Sequence, residues 1–236
     1  MKKNKLISVL LLVIMTFSIV LTGCSSEPTE APATPPVETP SEPESSSEIE
    51  TPGAEEPSGE VHHTSKETPY VTLNGEISKL ESPYYLTSVG QSADVSMLDA
   101  LLKKVEAEYT YDAVAKADDL SGAKTVIIAT GASSKGLGAA GISADDEKAR
   151  SSELLEYCKE NDITVIMAHI GGVSRRGQLS DEFTDMVLEY SSGIIMVEDG
   201  NDDGKFTDFA SEKNIPITLV NTIADCIEPI KTMVGK

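Results

Sequence analysis

Positive charge is scarce in this chain. Nineteen Lys and Arg stand against 39 Asp and Glu, for a formal net charge of −20 over 236 residues. Three of those lysines, Lys2, Lys3 and Lys5, lie in the first 23 residues, so the remainder carries −23. A field of that sign opposes phosphate-rich polymers and anionic lipid surfaces, which argues against nucleic-acid binding. Cysteine is equally sparse, with Cys24, Cys158 and Cys226 alone. That excludes a disulfide-stapled scaffold. Histidine is limited to His62, His63 and His169. Large apolar residues are almost missing between Ser25 and Thr68, a stretch holding eleven Glu, one Lys, no Asp and eight of the twelve Pro. Such a segment buries too little surface to offset its ordering entropy and is expected to be disordered. At about 3.1 Å per residue it would reach on the order of 140 Å when stretched. The adjacent His62 and His63 could ligate a metal, but in a flexible tail they are read as carrying no site.

What is present begins with a long apolar run, Leu6 to Val20, behind the three lysines and ahead of Leu21-Thr22-Gly23-Cys24. A charged start, a hydrophobic centre and a small-residue end are the parts of a secretory signal. The Leu-x-Gly-Cys ending resembles the bacterial lipobox, in which the Cys is lipidated and becomes the mature N-terminus; an ordinary signal peptide or a retained anchor helix is the alternative. Residues 1–23 are then a lipoprotein signal peptide. Residues 24–68 are the lipidated Cys24 and a Pro/Glu/Ser-rich spacer, and 69–83 a linker or small hairpin. Residues 84–236 form a domain of ligand-binding type. The partner implied by Cys24 is the lipid bilayer, and the expected location is extracytoplasmic, on the bacterial cell membrane. Each buried acyl methylene contributes roughly 0.8 kcal/mol to such anchorage.

From Tyr84 onward, apolar strand-like runs alternate with amphipathic helical ones. Strands are predicted at Tyr84–Val89, Lys124–Thr130, Thr164–Ile170, Gly193–Glu198 and Ile217–Val220. The middle runs are apolar on both faces, as buried parallel strands require. Helices are predicted near 93–108, 144–160, 181–191, 207–213 and 223–233. Ser96-x-x-Asp99, Ser143-x-x-Asp146, Ser180 before Asp181-Glu182, and Thr222-x-x-Asp225 supply start signals. The expected fold is α/β, a three-layer sandwich around a five-stranded parallel sheet in the flavodoxin-like or Rossmann-like order 2-1-3-4-5. The first and last helices would then cover one face and the other three the opposite face. Cys158 and Cys226 would lie on opposite sides, as buried small hydrophobes rather than a disulfide. Asn74-Gly75 suits a tight turn and suggests a small hairpin over Val71–Ile77.

Ligands in such folds settle at the carboxyl ends of the strands, and the informative residues cluster in those loops. After the first strand come Gln91, Ser92 and Asp94, either ligand groups or caps of the next helix. After the second come Ser133, Ser134, Lys135 and Gly136 in a run with four glycines in eleven residues. Gly136, Gly138 and Gly141 spell G-x-G-x-x-G, yet five residues separate them from the strand and Asp145, Asp146 and Glu147 occupy the following helix start. Both features oppose a dinucleotide. A Walker loop also fails, since Lys135 precedes Gly136, so the run is read as a mobile lid. After the third strand come His169, Arg175 and Arg176. A planar guanidinium suits carboxylates and other oxyanions, but neighbouring acids could equally take both arginines. After the fourth, Asp199, Asn201 and Asp203 fit the first half of an EF-type Ca2+ loop, while Ala210 stands where its twelfth-position acid belongs. A trio of Ser133 or Ser134, His169 and Asp199 could be drawn as a hydrolase triad, without the G-x-S-x-G elbow.

As a set, Gly90-Gln91-Ser92-Ala93-Asp94, the glycine run from Ser133 to Gly141, His169-Ile170-Gly171-Gly172 with Arg175-Arg176-Gly177, and Glu198-Asp199-Gly200-Asn201 resemble an uncharacterised bacterial family. That family is catalogued as a domain of unknown function and is often found on exported lipoproteins. The resemblance covers roughly residues 84 to 235 and implies a Rossmann-like head, with no activity or catalytic residue to carry over. The expectation is a surface-anchored binding protein rather than an enzyme, with no cofactor unless Ca2+ binds. Lys135, His169, Arg175 and Arg176 would hold the negative groups of a small polar or anionic ligand, and Ser92, Ser133 and Ser134 would supply hydrogen bonds. A transporter or sensor is the expected partner. The alternatives are an exported hydrolase or transferase using Ser134 or His169, and a calcium-binding surface module.

Overall fold

The computed structural model describes residues 63–77 and 79–236. The expected signal peptide, the expected lipidation site at Cys24, and the spacer as far as His62 lie outside the described residues. All five predicted strands are present, and two more join them. In chain order the strands are β1 (Tyr70–Leu73), β2 (Tyr84–Val89), β3 (Tyr109–Tyr111), β4 (Thr125–Thr130), β5 (Thr164–His169), β6 (Gly193–Val197) and β7 (Ile217–Val220). The helices are α1 (Asp94–Lys104), α2 (Ser134–Ala140), α3 (Ala144–Glu160), α4 (Gln178–Leu188), α5 (Lys205–Lys213) and α6 (Ile227–Val234).

The sheet is therefore seven-stranded and mixed, not five-stranded and parallel. Its order is β1-β7-β6-β5-β4-β2-β3. Strands β2 to β7 are parallel, and β1 closes one edge antiparallel to β7. The five predicted strands lie side by side in chain order, so Lys124–Thr130 is not the edge strand that order 2-1-3-4-5 made it. That edge belongs to β3. The chain still reverses direction across the sheet between β2 and β4, because β3 and β4 flank β2 on its two sides.

Both missed strands are short and half exposed, and edge pairing rather than a buried apolar run makes them strands. The predicted hairpin at Val71–Ile77 is instead β1, whose partner is β7. The Asn74-Gly75 turn, with both residues at positive φ, only redirects the chain. Helix α1 stops at Lys104, short of the predicted 108, as Glu106 takes φ 54° and turns the chain into β3.

The two faces divide as the strand alternation requires. Leu86, Ile127, Ala129, Ile166, Ala168, Ile195 and Val197 pack against α1 and α6. Val126, Ile128, Val165, Met167, Ile194, Met196 and Leu219 pack against α3, α4 and α5. Cys158 and Cys226 are free, buried and in different cores. Burial pushes both thiols up to about 12, so neither supplies a thiolate near neutral pH. The capping boxes at Ser143–Asp146 and Thr222–Asp225 form as read, the second on a short 3-10 turn ahead of α6. Ser96 and Ser180 lie inside their helices rather than at their starts. No helix among the described residues is long and apolar enough to cross a membrane.

Candidate binding site at the strand ends

The glycine-rich run after β4 is not an open lid. It folds into α2, with Ser133 at the N-cap accepting from Gly136 N at 3.0 Å and Gly141 closing it in the left-handed region. Glycine is a poor helix former, so this helix depends on its surroundings. A Cβ at Gly136 would collide with the Gln91 carbonyl oxygen, so α2 sits on the loop after β2 at a distance that only glycine allows. Ser134 and Lys135 lie exposed in its first turn.

Beneath this contact is a buried ion pair that the sequence reading missed. Glu147, fully buried, accepts from Gly90 N at 2.9 Å and Gln91 Nε2 at 3.1 Å. Arg150 grips the same carboxylate through Nε at 2.8 Å and Nη2 at 2.7 Å. Two further N–H groups, on Nη2 and Nη1, reach Ser88 O at 2.6 Å and Ala115 O at 2.5 Å. Gln91 thus braces the loop after β2, with its amide also on Ala113 O at 3.0 Å. An acid and a base at i,i+3 on the inward face of α3 was the available signal. It was read only as first-turn acidity.

Four loops converge on the Arg175-Arg176 pair. Ser92 Oγ accepts from Arg175 Nε at 3.0 Å, and the Asp94 carboxylate lies 3.1 Å from Nε and Nη2. Asp94 is nearly buried at 2 % exposure. The Arg175 side chain passes over Gly131 and Gly171, where any Cβ would crowd it. Among the described residues its Nη1 makes a single long hydrogen bond, 3.4 Å to Ser174 O. Arg176 turns the other way, to Asp181 (2.9 Å), Asp203 (2.8 Å) and Gly200 O (2.7 Å), with its guanidinium 5.3 Å from the Phe206 ring centroid. The hydrogen-bonded Asp203 carboxylate pushes Arg176 further up, and Arg176 in turn holds Asp203 below the usual carboxylate range. Both arginines therefore have acid partners, the outcome left open above.

His169 belongs to the frame of this cluster, not to its surface. It is fully buried, with Nε2 3.2 Å from the Arg175 carbonyl and its ring 5.2 Å from Phe206. Burial lowers its pKa, against a smaller opposite effect of the carbonyl. A neutral ring that holds the backbone of Arg175 offers no charge to an anion. No hydrogen bond joins it to Ser133, Ser134 or Asp199 among the described residues, so the hydrolase trio is not assembled.

The predicted calcium ligands point to three different partners. Asp199 accepts from Val173 N at 3.1 Å. Asn201 Oδ1 accepts from Phe206 N and Thr207 N at the start of α5, at 2.9 and 3.3 Å. Asp203 pairs with Arg176 through both oxygens. No group of three or more His, Cys, Asp or Glu side chains positioned to hold a metal ion occurs among the described residues. The half EF-type pattern serves as a helix-starting turn. His169 and Asp199 both hold the backbone of the loop that carries Arg175, whereas Lys135 stands on the exposed start of α2.

A family model described as "Domain of unknown function (DUF6305)" matches residues 81–234. The chain belongs to this family. No curated protein matches it. Among solved structures, it is similar to a GDSL-like lipase from Bacteroides thetaiotaomicron VPI-5482, with 13% identity over 57% of this chain and 65% of that one, at a TM-score of 0.26. A protein of the G-D-S-L family from Desulfitobacterium hafniense DCB-2 shares 14% identity over 58% of this chain and 76% of that one, again at 0.26. The DUF6305 chain thus spans less than two thirds of the first of these, and likeness at such scores carries no argument about activity.

Proposed function

We propose that the DUF6305 head captures a small polar or anionic solute at its strand-end rim. The observation that carries this reading is the state of Arg175. Its Nε–Nη2 edge is spent on Asp94 and Ser92, which fix the guanidinium, while among the described residues Nη1 has one 3.4 Å contact, to Ser174 O. A guanidinium held on one side and open on the other is pre-organised for an oxyanion, with little ordering cost at binding. The exposed Ser134 and Lys135 on α2 would add a hydroxyl and a second positive charge. The buried pairing of Asp94 limits the attraction, so a singly charged carboxylate suits the site better than a polyphosphate. Read with the Lys2–Cys24 pattern, the proposal is of an extracytoplasmic lipoprotein, anchored to the bacterial membrane through Cys24, that would pass its solute to a transporter or sensor.

A thermal-shift screen of the full chain against carboxylates, inorganic phosphate, sugars and nucleosides tests the binding step. A ligand at a hundred times its Kd stabilises by about 2.7 kcal/mol, a shift of several degrees for a domain this size. The expected result is stabilisation by a carboxylate that weakens in Lys135→Ala and disappears in Arg175→Lys. No shift from any class, or a shift indifferent to both substitutions, removes the proposal.

A further inference from the structure

Residues 63–69 precede the family match and read in sequence as the end of a spacer, yet they are built into the rim. Strand β1 runs antiparallel to β7 and sets Tyr70 opposite Val220, at the carboxyl end of β7. Asn221 N donates to Pro69 O at 2.8 Å, continuing the pairing past the strand. The chain before Tyr70 therefore crosses the strand ends, and His63 and Thr64 lie against Glu198, the residue that follows β6. There the Glu198 carboxylate takes four donors. His63 N and Nδ1 reach Oε1 at 2.6 and 2.9 Å, and Thr64 N and Oγ1 reach Oε2 at 2.7 and 2.5 Å. The intervening residues are held as a tight turn, with Ser65 N donating to Thr68 O at 2.9 Å and Ser65 Oγ accepting from Glu67 N and Thr68 N.

Glu198 is only 7% exposed. A carboxylate so placed is costly unless donors replace its water, and among the described residues those donors come from His63 and Thr64. Burial alone would raise its pKa, but the hydrogen bonds from Thr64 and His63 outweigh that and hold it below the usual range. The same short turn is gripped from its other side. Asp199 accepts from Val173 N, and Gly200 O accepts from Arg176 Nη1, so the loop that carries Arg175 leans on the turn that begins with Glu198.

We infer that residues 63–69 are a clasp, seated on Glu198, that holds the Glu198–Asn201 turn in the position from which it supports the Arg175 loop. Release of the clasp leaves a buried carboxylate without donors and loosens that loop. Its bearing on solute capture rests on the reading above, but the clasp itself does not.

Amide hydrogen exchange on the full chain, without any solute, reads the clasp directly. In the wild type, the His63 and Thr64 amides exchange at least tenfold more slowly than in an unstructured peptide. The double variant His63→Ala with Thr64→Val, which removes both side-chain donors and keeps the two backbone ones, lowers that protection at least threefold and speeds exchange of the Val173 amide at least threefold. Glu198→Gln does the same from the other partner. Unprotected His63 and Thr64 amides in the wild type overturn the inference. So does a Val173 amide that exchanges at the wild-type rate when the His63 and Thr64 amides have lost their protection. Failure of every solute to bind would count against the capture reading and leave this result standing.

Discussion

Two arginine–carboxylate pairs stand close together at the ends of β2 and β4, and they do opposite jobs. Arg150 is engaged on all three nitrogens, with Nε, Nη1 and Nη2 spread over Glu147, Ala115 O and Ser88 O, and Glu147 also carries the amides of Gly90 and Gln91. Four of the five guanidinium N–H groups are used there, and the two side chains are 12% and 0% exposed. Arg175 is held on one edge by Asp94 and Ser92 and leaves the other facing out, with its side chain 24% exposed. The same chemistry thus makes a rivet in one place and a presented group in the other. Hydrogen-bond capacity left over, more than charge, separates them.

Substitutions should expose that difference. Glu147→Ala gives the largest loss, because it strands a buried guanidinium and two loop amides. Breaking such a pair costs about 3–5 kcal/mol, and denaturant unfolding should show it, with little cooperative folding left in a marginal domain. Arg175→Ala leaves the buried Asp94 unpaired, but Arg175 is itself more exposed than Arg150 and its removal admits water, so a smaller loss of about 2–3 kcal/mol is expected. Its distinguishing result is loss of the solute-induced thermal shift, which no Glu147 variant that still folds should abolish.

Gly136→Ala forces α2 away from Gln91 and should cost about 1–3 kcal/mol, the range for overpacking. A folded control, Gly138→Ala, has open space around its Cβ and should be neutral or slightly stabilising. The smallest effect is that of acid on the Arg176–Asp203 pair. Arg176 lowers the Asp203 pKa, so its contribution is present above the ordinary Asp value and is lost as pH falls through the depressed one. Since Asp203 is half exposed, melting temperatures of Asp203→Asn and wild type should differ little at neutral pH and converge in acid. A difference that widens in acid would contradict this.

The sequence pattern made the central strands legible because a buried parallel strand must be apolar on both faces, and no other element of that length has the same signature. It also revealed which helices share a face, and two capping boxes. It did not reveal β1 or β3. Their residues are half exposed, and only hydrogen bonds to a neighbouring strand make them part of a sheet. The glycines of α2 misled for a related reason. Low intrinsic helix propensity was read as looseness, whereas the Ser133 cap and the close seat on Gln91 decide the outcome locally.

The candidate site divides in the same way. Its loops could be assigned to the strand ends, since chain direction in a parallel sheet puts alternate connections on one edge. Their partners could not be assigned. Whether Arg175 or Arg150 would keep a free edge, whether His169 would face solvent or support a backbone, and where His63 and Thr64 would dock depend on partners as many as 135 positions apart. Local composition determined the layers of this protein and the edge at which its polar loops gather. The distribution of hydrogen bonds at that edge was settled only by folding, because a donor's neighbours in space are not its neighbours in the chain.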